Sequence, residues 1–324
     1  MKPTKELLKK ISGKKIVCLG GGNAMPKAIL KGIKKYPVEI SAICAMLDTG
    51  GSSGRLKKDY KITSPGDIRR SLIALANTSP VIEHLFNYRF QGGDLKGHNF
   101  ANLLITALEL NTNNYDRVIK ELKKILQIRH QVLPVTLSKS NLYAILENGK
   151  IISGEKNIDN PRHDGNLKIK KVYLKPKAKA YPKTIKAIKK ADLIIIGPGD
   201  LYSSLAQILL TEGISESIKK SKAKKIYVCN LMQKYGETNE FSVSDFTEEI
   251  EKYLDSKLDY VIYNNKIPSE ELMKKQKEKN PELLGMVKLS KDLKEEKFIG
   301  KSLLKRNSTE HNTEKLAKLL IGLI

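Results

Sequence analysis

The residues best suited to chemistry lie in glycine-rich turns, each of which follows a short apolar run. The first turn, after residues 15–19, is Gly20, Gly21, Gly22 and Asn23. Glycines let the backbone turn sharply and expose amide protons, and the start of a following helix adds partial positive charge. These properties favour binding of a phosphate group, although a simple tight strand-to-helix turn uses the same residues.

The second turn follows the apolar run 39–46 and combines backbone amides, hydroxyls and a guanidinium. Its candidate ligand residues are Asp48, Gly50, Gly51, Ser52, Ser53 and Arg55. Such groups together suit a diphosphate. Asp48, at the end of the strand, could hold a metal ion, a ribose hydroxyl or a proton in transit. We therefore predict a ligand loop here.

A third turn and several isolated polar residues complete the candidate set. The turn follows the run 193–196 and contains Gly197, Pro198, Gly199, Asp200, Tyr202, Ser203 and Ser204. Asp67 opens one predicted helix, and His98 with Asn99 opens another. At each position the side chains either contribute to a ligand site or cap the helix. Asn230 and Asn264 end later strands, where each either contacts a base or ribose or caps the next turn.

Alternating strands and helices must position these turns. Strands are predicted over residues 15–19, 39–46, 131–138, 141–147, 150–154, 167–174, 193–196, 225–230 and 260–264, with a weak strand near 284–289. Runs such as LIII at 193–196 are continuously apolar, which is typical of parallel strands covered on both faces. The pattern predicts a Rossmann-like three-layer α/β/α fold with a mostly parallel sheet and a small β-rich excursion near 130–175. We expect one domain over 1–324, with a core at 14–265 and a peripheral C-terminal region at 266–324.

Ligands of such sheets bind beyond the carboxyl ends of the strands. Since several glycine-rich turns follow strands, they are expected to meet at that edge. Their convergence favours a nucleotide with phosphates, whose base or ribose would contact the asparagines.

The charge and composition narrow the range of partners. The chain of 324 residues has a formal net charge of +24, with 59 lysines and arginines. Only eight of these are arginines, the residue that nucleic-acid recognition favours, so we interpret the surface as solvated and lysine-rich. Such a surface still attracts small anions.

The cysteines and the apolar runs indicate the cellular compartment in which the protein is expected. Cys18, Cys44 and Cys229 lie inside apolar runs, as buried thiols do in a reducing compartment. The N-terminus predicts a polar helix and not a signal peptide, and no apolar run is long enough for a membrane span. These features predict a cytoplasmic protein.

Seven blocks of the sequence resemble the bacterial gluconeogenesis-factor family, the YvcK-like proteins, which share a superfamily with the CofD-like 2-phospho-L-lactate transferases. The blocks occur in the family's order and are GGGNAMPKAILKGI, LDTGGSSGRLKKDY, PGDIRRSLIALA, LFNYRF, GHNFANLL, IGPGDLYSSLAQILL and IYVCNLMQKYGET. The resemblance implies a Rossmann-like core with a nucleotide site lined by the candidate residues from Gly20 to Ser204. It is also compatible with a homodimer.

The resemblance implies two functions. YvcK-like proteins bind UDP-sugars such as UDP-N-acetylglucosamine and are linked to carbon metabolism, cell shape and cell-wall synthesis. The transferases bind a guanosine diphosphate conjugate with Mg²⁺ and pass phospholactate to a deazaflavin. We expect a nucleotide-sugar binding protein, and the alternative is a Mg²⁺-dependent phosphotransferase with Asp48 as catalytic or metal residue. Only this alternative calls for a cofactor, Mg²⁺. A lysine-driven nucleic-acid binder is the third and least favoured possibility.

The chain departs from the family pattern at four places, one of which is GHNFAN at residues 97–102 where the family has GHSLGN. Asn23 and Ala24 replace the usual Thr-Gly after the first strand, and Thr49 replaces the second member of an Asp-Asp pair. Glu310 stands where the family often has an arginine. A missing carboxylate weakens a two-carboxylate Mg²⁺ site, and a glutamate repels a pyrophosphate that an arginine would hold.

Overall fold

Twelve strands form three sheets in the computed structural model, which describes residues 4–290 and 293–324. In chain order the strands are β1 Lys15–Gly20, β2 Glu39–Cys44, β3 Gln131–Pro134, β4 Asn141–Leu146, β5 Ile151–Ser153, β6 Ile169–Lys175, β7 Leu193–Ile196, β8 Lys224–Val228, β9 Met232–Lys234, β10 Tyr260–Asn264, β11 Leu283–Met286 and β12 Phe298–Lys301. Seven of them make a central sheet in the order β12-β10-β8-β7-β1-β2-β3. Every neighbouring pair in this sheet is parallel.

Helices cover the sheet and connect its strands. The α-helices are Lys5–Ile11, Lys31–Ile33, Gly51–Tyr60, Gly66–Leu75, Pro80–Asn87, Phe100–Thr112, Tyr115–Ile125, Glu155–Asp159, Pro182–Lys189, Gln207–Leu209, Ile214–Lys220, Val243–Leu254, Glu270–Lys279 and Thr313–Gly322, and the π-helical segments are Pro26–Leu30 and Leu201–Ala206. Each π-helical segment follows a glycine-rich turn, after β1 and β7 respectively. Such segments are rare and occur frequently at functional sites.

The core forms because the central strands are apolar along their whole length. All four residues of β7 and the last five of β1 are buried, as parallel strands are when helices cover both faces. This architecture confirms the predicted Rossmann-like α/β fold. Among the described residues, no helix is both long and apolar enough to cross a membrane.

The excursion is a three-stranded antiparallel sheet in the order β5-β4-β6. The Asn148-Gly149 turn joins β4 to β5 as predicted, and Gly149 has φ +84°, a value that glycine adopts readily. The strand predicted at 131–138 ends at Pro134 and pairs with β2 in the central sheet, so the antiparallel part begins only at β4. An apolar run predicts a strand but does not identify its partner.

Other predictions differ from the structure in detail. The stretch 47–55, predicted as a ligand loop, becomes helical at Gly51, because Asp48 accepts a hydrogen bond from the Gly50 amide at 2.8 Å and starts the turn. The short helices Glu155–Asp159 and Ile214–Lys220 and the edge strand β12 were not predicted. They are short and partly exposed, so they lack a long apolar period.

Strand order places a topological switch point between β1 and β7. From β1 the chain proceeds outward through β2 to β3, and it later fills the other side of β1 with β7, β8, β10 and β12. In open α/β sheets, ligands bind in the crevice at the carboxyl ends of the strands where the order reverses. The turns after β1 and β7 flank that crevice.

Candidate functional site

A pocket of about 410 Å³ opens at the switch point, within the range of small-molecule sites. Asn23 and Lys27 line it from the β1 turn, Gly199 from the β7 turn and Asn230 from the end of β8. The segment 309–311 and the helix Glu270–Lys279 close the opposite side. We call this cavity the switch-point pocket.

Glycine is needed at the three positions after β1 for different physical reasons. A Cβ atom on Gly20 would lie 2.7 Å from the Met25 Cβ, and one on Gly21 would lie 3.0 Å from an Asp67 carboxylate oxygen. Gly22 has φ +60° and open space around it, and its amide donates to Asp67 at 2.8 Å. The first two glycines thus permit close packing, and only Gly22 borders free volume. No side chain in the described part of the chain caps the helical segment that follows. Pro26 has no amide hydrogen and the Lys27 amide donates to the Asn23 carbonyl at 3.2 Å, so the amides that face solvent here are those of the exposed residues Asn23 and Ala24.

The amides of the β7 turn are already engaged within the protein. The Gly199 amide donates to the Asn230 side chain at 3.3 Å, and the amides of Tyr202 and Ser203 donate to Glu237 at 2.9 and 3.0 Å. Glu237 also accepts from the Ser203 hydroxyl at 2.8 Å. This turn therefore shapes the pocket through Pro198, Gly199 and Asp200, while Glu237 occupies the helix N-terminus behind it.

A buried lysine holds the β7 turn in place. The Lys234 ammonium contacts Asp159, Asp200 at 3.0 Å and Glu237 at 3.4 Å. These three carboxylates lie close enough together to hold a metal ion, but the ammonium group lies among them and balances their charge. Burial by itself lowers the pKa of Lys234, but the acidic neighbours raise it above its usual value. Burial raises the pKa of Glu237 to about 6.

A second cluster, which we call the Asp48 cluster, joins Asp48, Ser53, Asp67 and Arg70. A Cβ atom on the adjacent Gly66 would lie 2.6 Å from the Ser53 hydroxyl oxygen and 2.8 Å from an Asp48 oxygen. The Arg70 guanidinium forms an ion pair with Asp67 and lies 3.8 Å from Asp48. Burial, and then the neighbouring Asp67, raise the pKa of Asp48.

The Asp48 cluster extends to the antiparallel sheet through Thr49. The Thr49 amide donates to Glu155 at 3.0 Å, and the Lys156 amide donates to the Thr49 hydroxyl at 3.0 Å. Burial, and then Asp48, raise the pKa of Glu155 to about 9. The Lys57 ammonium is buried, without a hydrogen-bond partner among the described residues, and burial lowers its pKa. Asp48 and Glu155 are the carboxylates that act on it, and they oppose this shift.

Ser52 and His98 form a contact at the rear of this cluster. The Ser52 hydroxyl lies 3.2 Å from His98 Nδ1 and accepts the Asn99 amide at 3.3 Å. The Asn99 side chain caps the helix Phe100–Thr112 and donates to two backbone carbonyls. Arg55 is exposed and donates to the Lys96 carbonyl at 2.8 Å. Asn99 and Arg55 therefore make structural contacts, and Ser52 with His98 lines the back of the cluster.

The predicted site residues separate into two groups. The turns after β1 and β7 meet, because Gly21 packs near Ser204 while Asn23 and Asn230 face the switch-point pocket. The residues of the turn after β2 do not line this pocket, and Asp48 and Ser53 instead join Asp67 in the Asp48 cluster. Asn264 is not part of this assembly, since its side chain bonds to Lys266 and to the Leu303 amide at 3.0 Å.

Several residues of the site were not predicted from the sequence. Arg70 lies three residues after Asp67 and Lys57 four residues after Ser53, so helical spacing places each on the same face as a predicted residue. That spacing is a signal that could have identified them. Glu155, Lys234 and Glu237 approach from distant segments, and no local pattern indicates them.

The fold and the position of its pocket define a class: a Rossmann-like α/β protein with a candidate ligand site at the carboxyl edge of its sheet. Residues 16–301 match the family model described as 2-phospho-L-lactate transferase CofD, and the chain belongs to this family. The resemblance identified from the sequence blocks is thereby confirmed.

Similar relatives include proteins named gluconeogenesis factor. The protein of Bacillus subtilis (strain 168) is 36% identical over 320 residues, covering 96% of this chain and 98% of the relative. The protein of Halalkalibacterium halodurans is 43% identical over 239 residues, covering 73% of each. A crystal structure of a UPF0052 family member from Bacillus halodurans superposes with a TM-score of 0.89 at 35% identity, covering 96% of this chain and 99% of that one.

Proposed function

We propose that this protein binds a nucleotide sugar, a UDP-sugar such as UDP-N-acetylglucosamine, and regulates carbon metabolism, cell shape and cell-wall synthesis in the cytoplasm. The observation that carries the proposal is the switch-point pocket, where the β1 turn, the β7 turn and Asn230 meet at the reversal of strand order. The relatives' name, gluconeogenesis factor, supports a role in carbon flow.

In this proposal the diphosphate binds at the β1 turn. The exposed residues Asn23 and Ala24 line the pocket and present backbone amides, and Lys27 contributes a positive charge at the rim. Glu310 also lines the pocket, and its carboxylate lies 3.9 Å from the Lys27 ammonium. Lys27 thus offsets the glutamate that replaces the usual arginine. Asn230 contacts the base or the ribose.

Isothermal titration against UDP-N-acetylglucosamine, UDP-glucose and GDP tests the proposal. We expect heat of binding with the UDP-sugars and a weaker response with GDP. Absence of binding heat with all three ligands would refute nucleotide binding, and a preference for GDP would refute the assignment of the base.

A charge reversal at Lys27 tests the placement of the diphosphate. Lys27→Glu removes a cation from the rim and adds an anion, so affinity for UDP-N-acetylglucosamine should fall at least about tenfold. Lys31→Glu is the matched control, because Lys31 is also exposed, lies one helical turn further and does not line the pocket. Equal losses in both variants would show a general charge effect instead of a contact at the rim.

The second candidate function is a phosphotransferase of the 2-phospho-L-lactate transferase type. The family match and the buried Asp48 cluster favour it. The carboxylates of Asp48 and Asp67 already have Arg70 as their cation, so they do not form a pair dedicated to a metal. Mg²⁺, which supplies charge neutralisation at transferring phosphates, would be held by Asp48 together with the phosphates of the nucleotide.

Substitution of Asp48 distinguishes the two functions. Asp48→Asn removes the charge and retains the size, so nucleotide binding should persist, whereas a transferase should lose about 100-fold or more in transfer of phospholactate to a deazaflavin acceptor. Wild-type protein without transfer activity would rule out this second function and leave nucleotide-sugar binding untouched.

A further inference from the structure

A second cavity lies at the β3 edge of the central sheet, and none of its lining residues belongs to the site described above. It has a volume of about 830 Å³, larger than the switch-point pocket. Its walls are the helix Tyr115–Ile125 and the start of the helix Pro182–Lys189, and its floor is β3. We call it the edge groove.

The floor of the edge groove is apolar and belongs to β3, the last strand of the central sheet in the described part of the chain. β3 ends the sheet, and Val132 and Leu133 line the groove together with Ile119 and Ile128. The carboxyl end of β3 is covered, since the Thr184 hydroxyl donates to the Pro134 carbonyl at 2.8 Å. Of the four residues of β3 only Gln131 is exposed, so a ligand of the groove contacts the groove's side chains and does not pair with the strand.

The walls of the edge groove are strongly basic. Six of its lining residues are basic, namely Arg117, Lys120, Lys123, Lys124, Arg129 and Lys183, and one is acidic. The acidic residue, Asp116, already forms an ion pair with Lys183 at 2.8 Å. Within the described part of the chain, Arg117, Lys120, Lys123 and Arg129 have no ion-pair partner, so the groove carries uncompensated positive charge above an apolar floor.

We propose that the edge groove is a docking site for an acidic segment of a partner protein. The segment lies along the groove, with carboxylates against the basic wall and apolar side chains toward the floor. Complementary charge selects the partner.

Two other occupants fit these features less well. A second copy of this chain would bring the same positive charges face to face, which disfavours association. A nucleic acid would leave the apolar floor unused. Two arginines line the groove, and of its two aromatic residues Tyr115 is buried and Tyr181 is half-buried with its hydroxyl bonded to Asp116, which is a poor platform for stacked bases.

Fluorescence anisotropy with the full-length protein tests the proposal. The probe is a fluorescein-labelled peptide of about ten residues that alternates glutamate and valine, at about 0.15 M salt to suppress diffuse attraction. We expect binding by the wild type and at least about a tenfold loss in the double variant Arg117→Glu, Lys120→Glu. The matched control is Lys170→Glu, Lys171→Glu, which makes the same charge change at exposed residues of β6 and should retain affinity.

Four outcomes would overturn the proposal. They are no binding of the peptide by the wild type, equal losses in the two double variants, stronger binding of oligothymidylate at the same site, and a dimer whose mass falls to that of a monomer only in the groove variant. The third would identify the groove as a nucleic-acid site and the fourth as a contact between copies. Circular dichroism and unchanged melting temperatures establish that each variant is folded.

Discussion

At the residue scale, buried charges of this protein are balanced by partners from distant parts of the chain. Lys234 is the clearest case, because its ammonium contacts Asp159 from the antiparallel sheet region, Asp200 from the β7 turn and Glu237 from its own segment. Glu237 in turn fixes the amides of Tyr202 and Ser203. The ion pairs of one lysine thus connect the antiparallel sheet region to the wall of the switch-point pocket.

Replacement of Lys234 by methionine should destabilise the protein. Lys234→Met keeps the length of the side chain but leaves three carboxylates without their cation, and removal of one partner from a buried charge network costs about 3 kcal/mol. The free energy of unfolding in urea measures the effect. Lys222→Met is the control, since Lys222 is exposed and lacks an ion pair among the described residues, and its effect should stay within about 0.5 kcal/mol. A loss as small as that in the control would show that the three carboxylates do not depend on Lys234.

At the element scale, helix starts at the carboxyl edge of the sheet bring the site residues together. The helices Gly51–Tyr60 and Gly66–Leu75 begin side by side, so that Asp48, Ser53 and Asp67 meet at Gly66. Glu155 adds a contact from the antiparallel sheet region to the loop between β2 and the first of these helices. The site therefore depends on the close approach of the Ser53 and Asp48 side chains to the backbone at Gly66, which a glycine permits.

An alanine at position 66 should disturb this contact. Its Cβ would lie 2.6 Å from the Ser53 hydroxyl and 2.8 Å from Asp48, and relief of such a clash costs about 2 kcal/mol. Gly92→Ala is the matched control, because a Cβ there meets nothing within 4 Å. Urea unfolding should show a clear loss for Gly66→Ala and a change of about 0.5 kcal/mol or less for the control. Equal stabilities would mean that the two helix starts can separate without cost.

At the scale of the whole molecule, strand order and net charge act together on small anions. The reversal between β1 and β7 creates the crevice, and a formal net charge of +24 surrounds it. A strongly positive surface raises the association rate of an anionic ligand without providing specificity. The specific contacts remain those of the switch-point pocket.

Association with the nucleotide sugar should therefore depend on salt. Between about 0.05 and 0.5 M NaCl the association rate of UDP-N-acetylglucosamine should fall several-fold, by about threefold to tenfold, because screening shortens the reach of the lysines. Stopped-flow fluorescence measures this rate. Uridine, which has the base and no phosphates, serves as the control, and its association rate should not change with salt. Parallel profiles for the two ligands would contradict a role of surface charge in the encounter.

The sequence predicted most of the central sheet because its strands are continuous apolar runs. β1, β2, β7, β8 and β10 lie where these runs predicted them. β12 is short and only partly buried, and its partner β10 lies more than thirty residues earlier, so no local signal marks it. Prediction of the site is limited in the same way. Arg70 could have been identified from its helical spacing to Asp67, whereas no local pattern indicates Glu155.

The sequence by itself determined the fold class, the family and the turns that carry the candidate ligand residues, because these depend on local patterns of glycines, polar side chains and apolar runs. Only the tertiary structure decided which turns meet, that the amides of the β7 turn are held by Asn230 and Glu237, and that Arg70 lies between Asp48 and Asp67. Such contacts join residues far apart in the chain, and their geometry follows from strand order and helix packing. A pattern of neighbouring residues cannot specify that geometry.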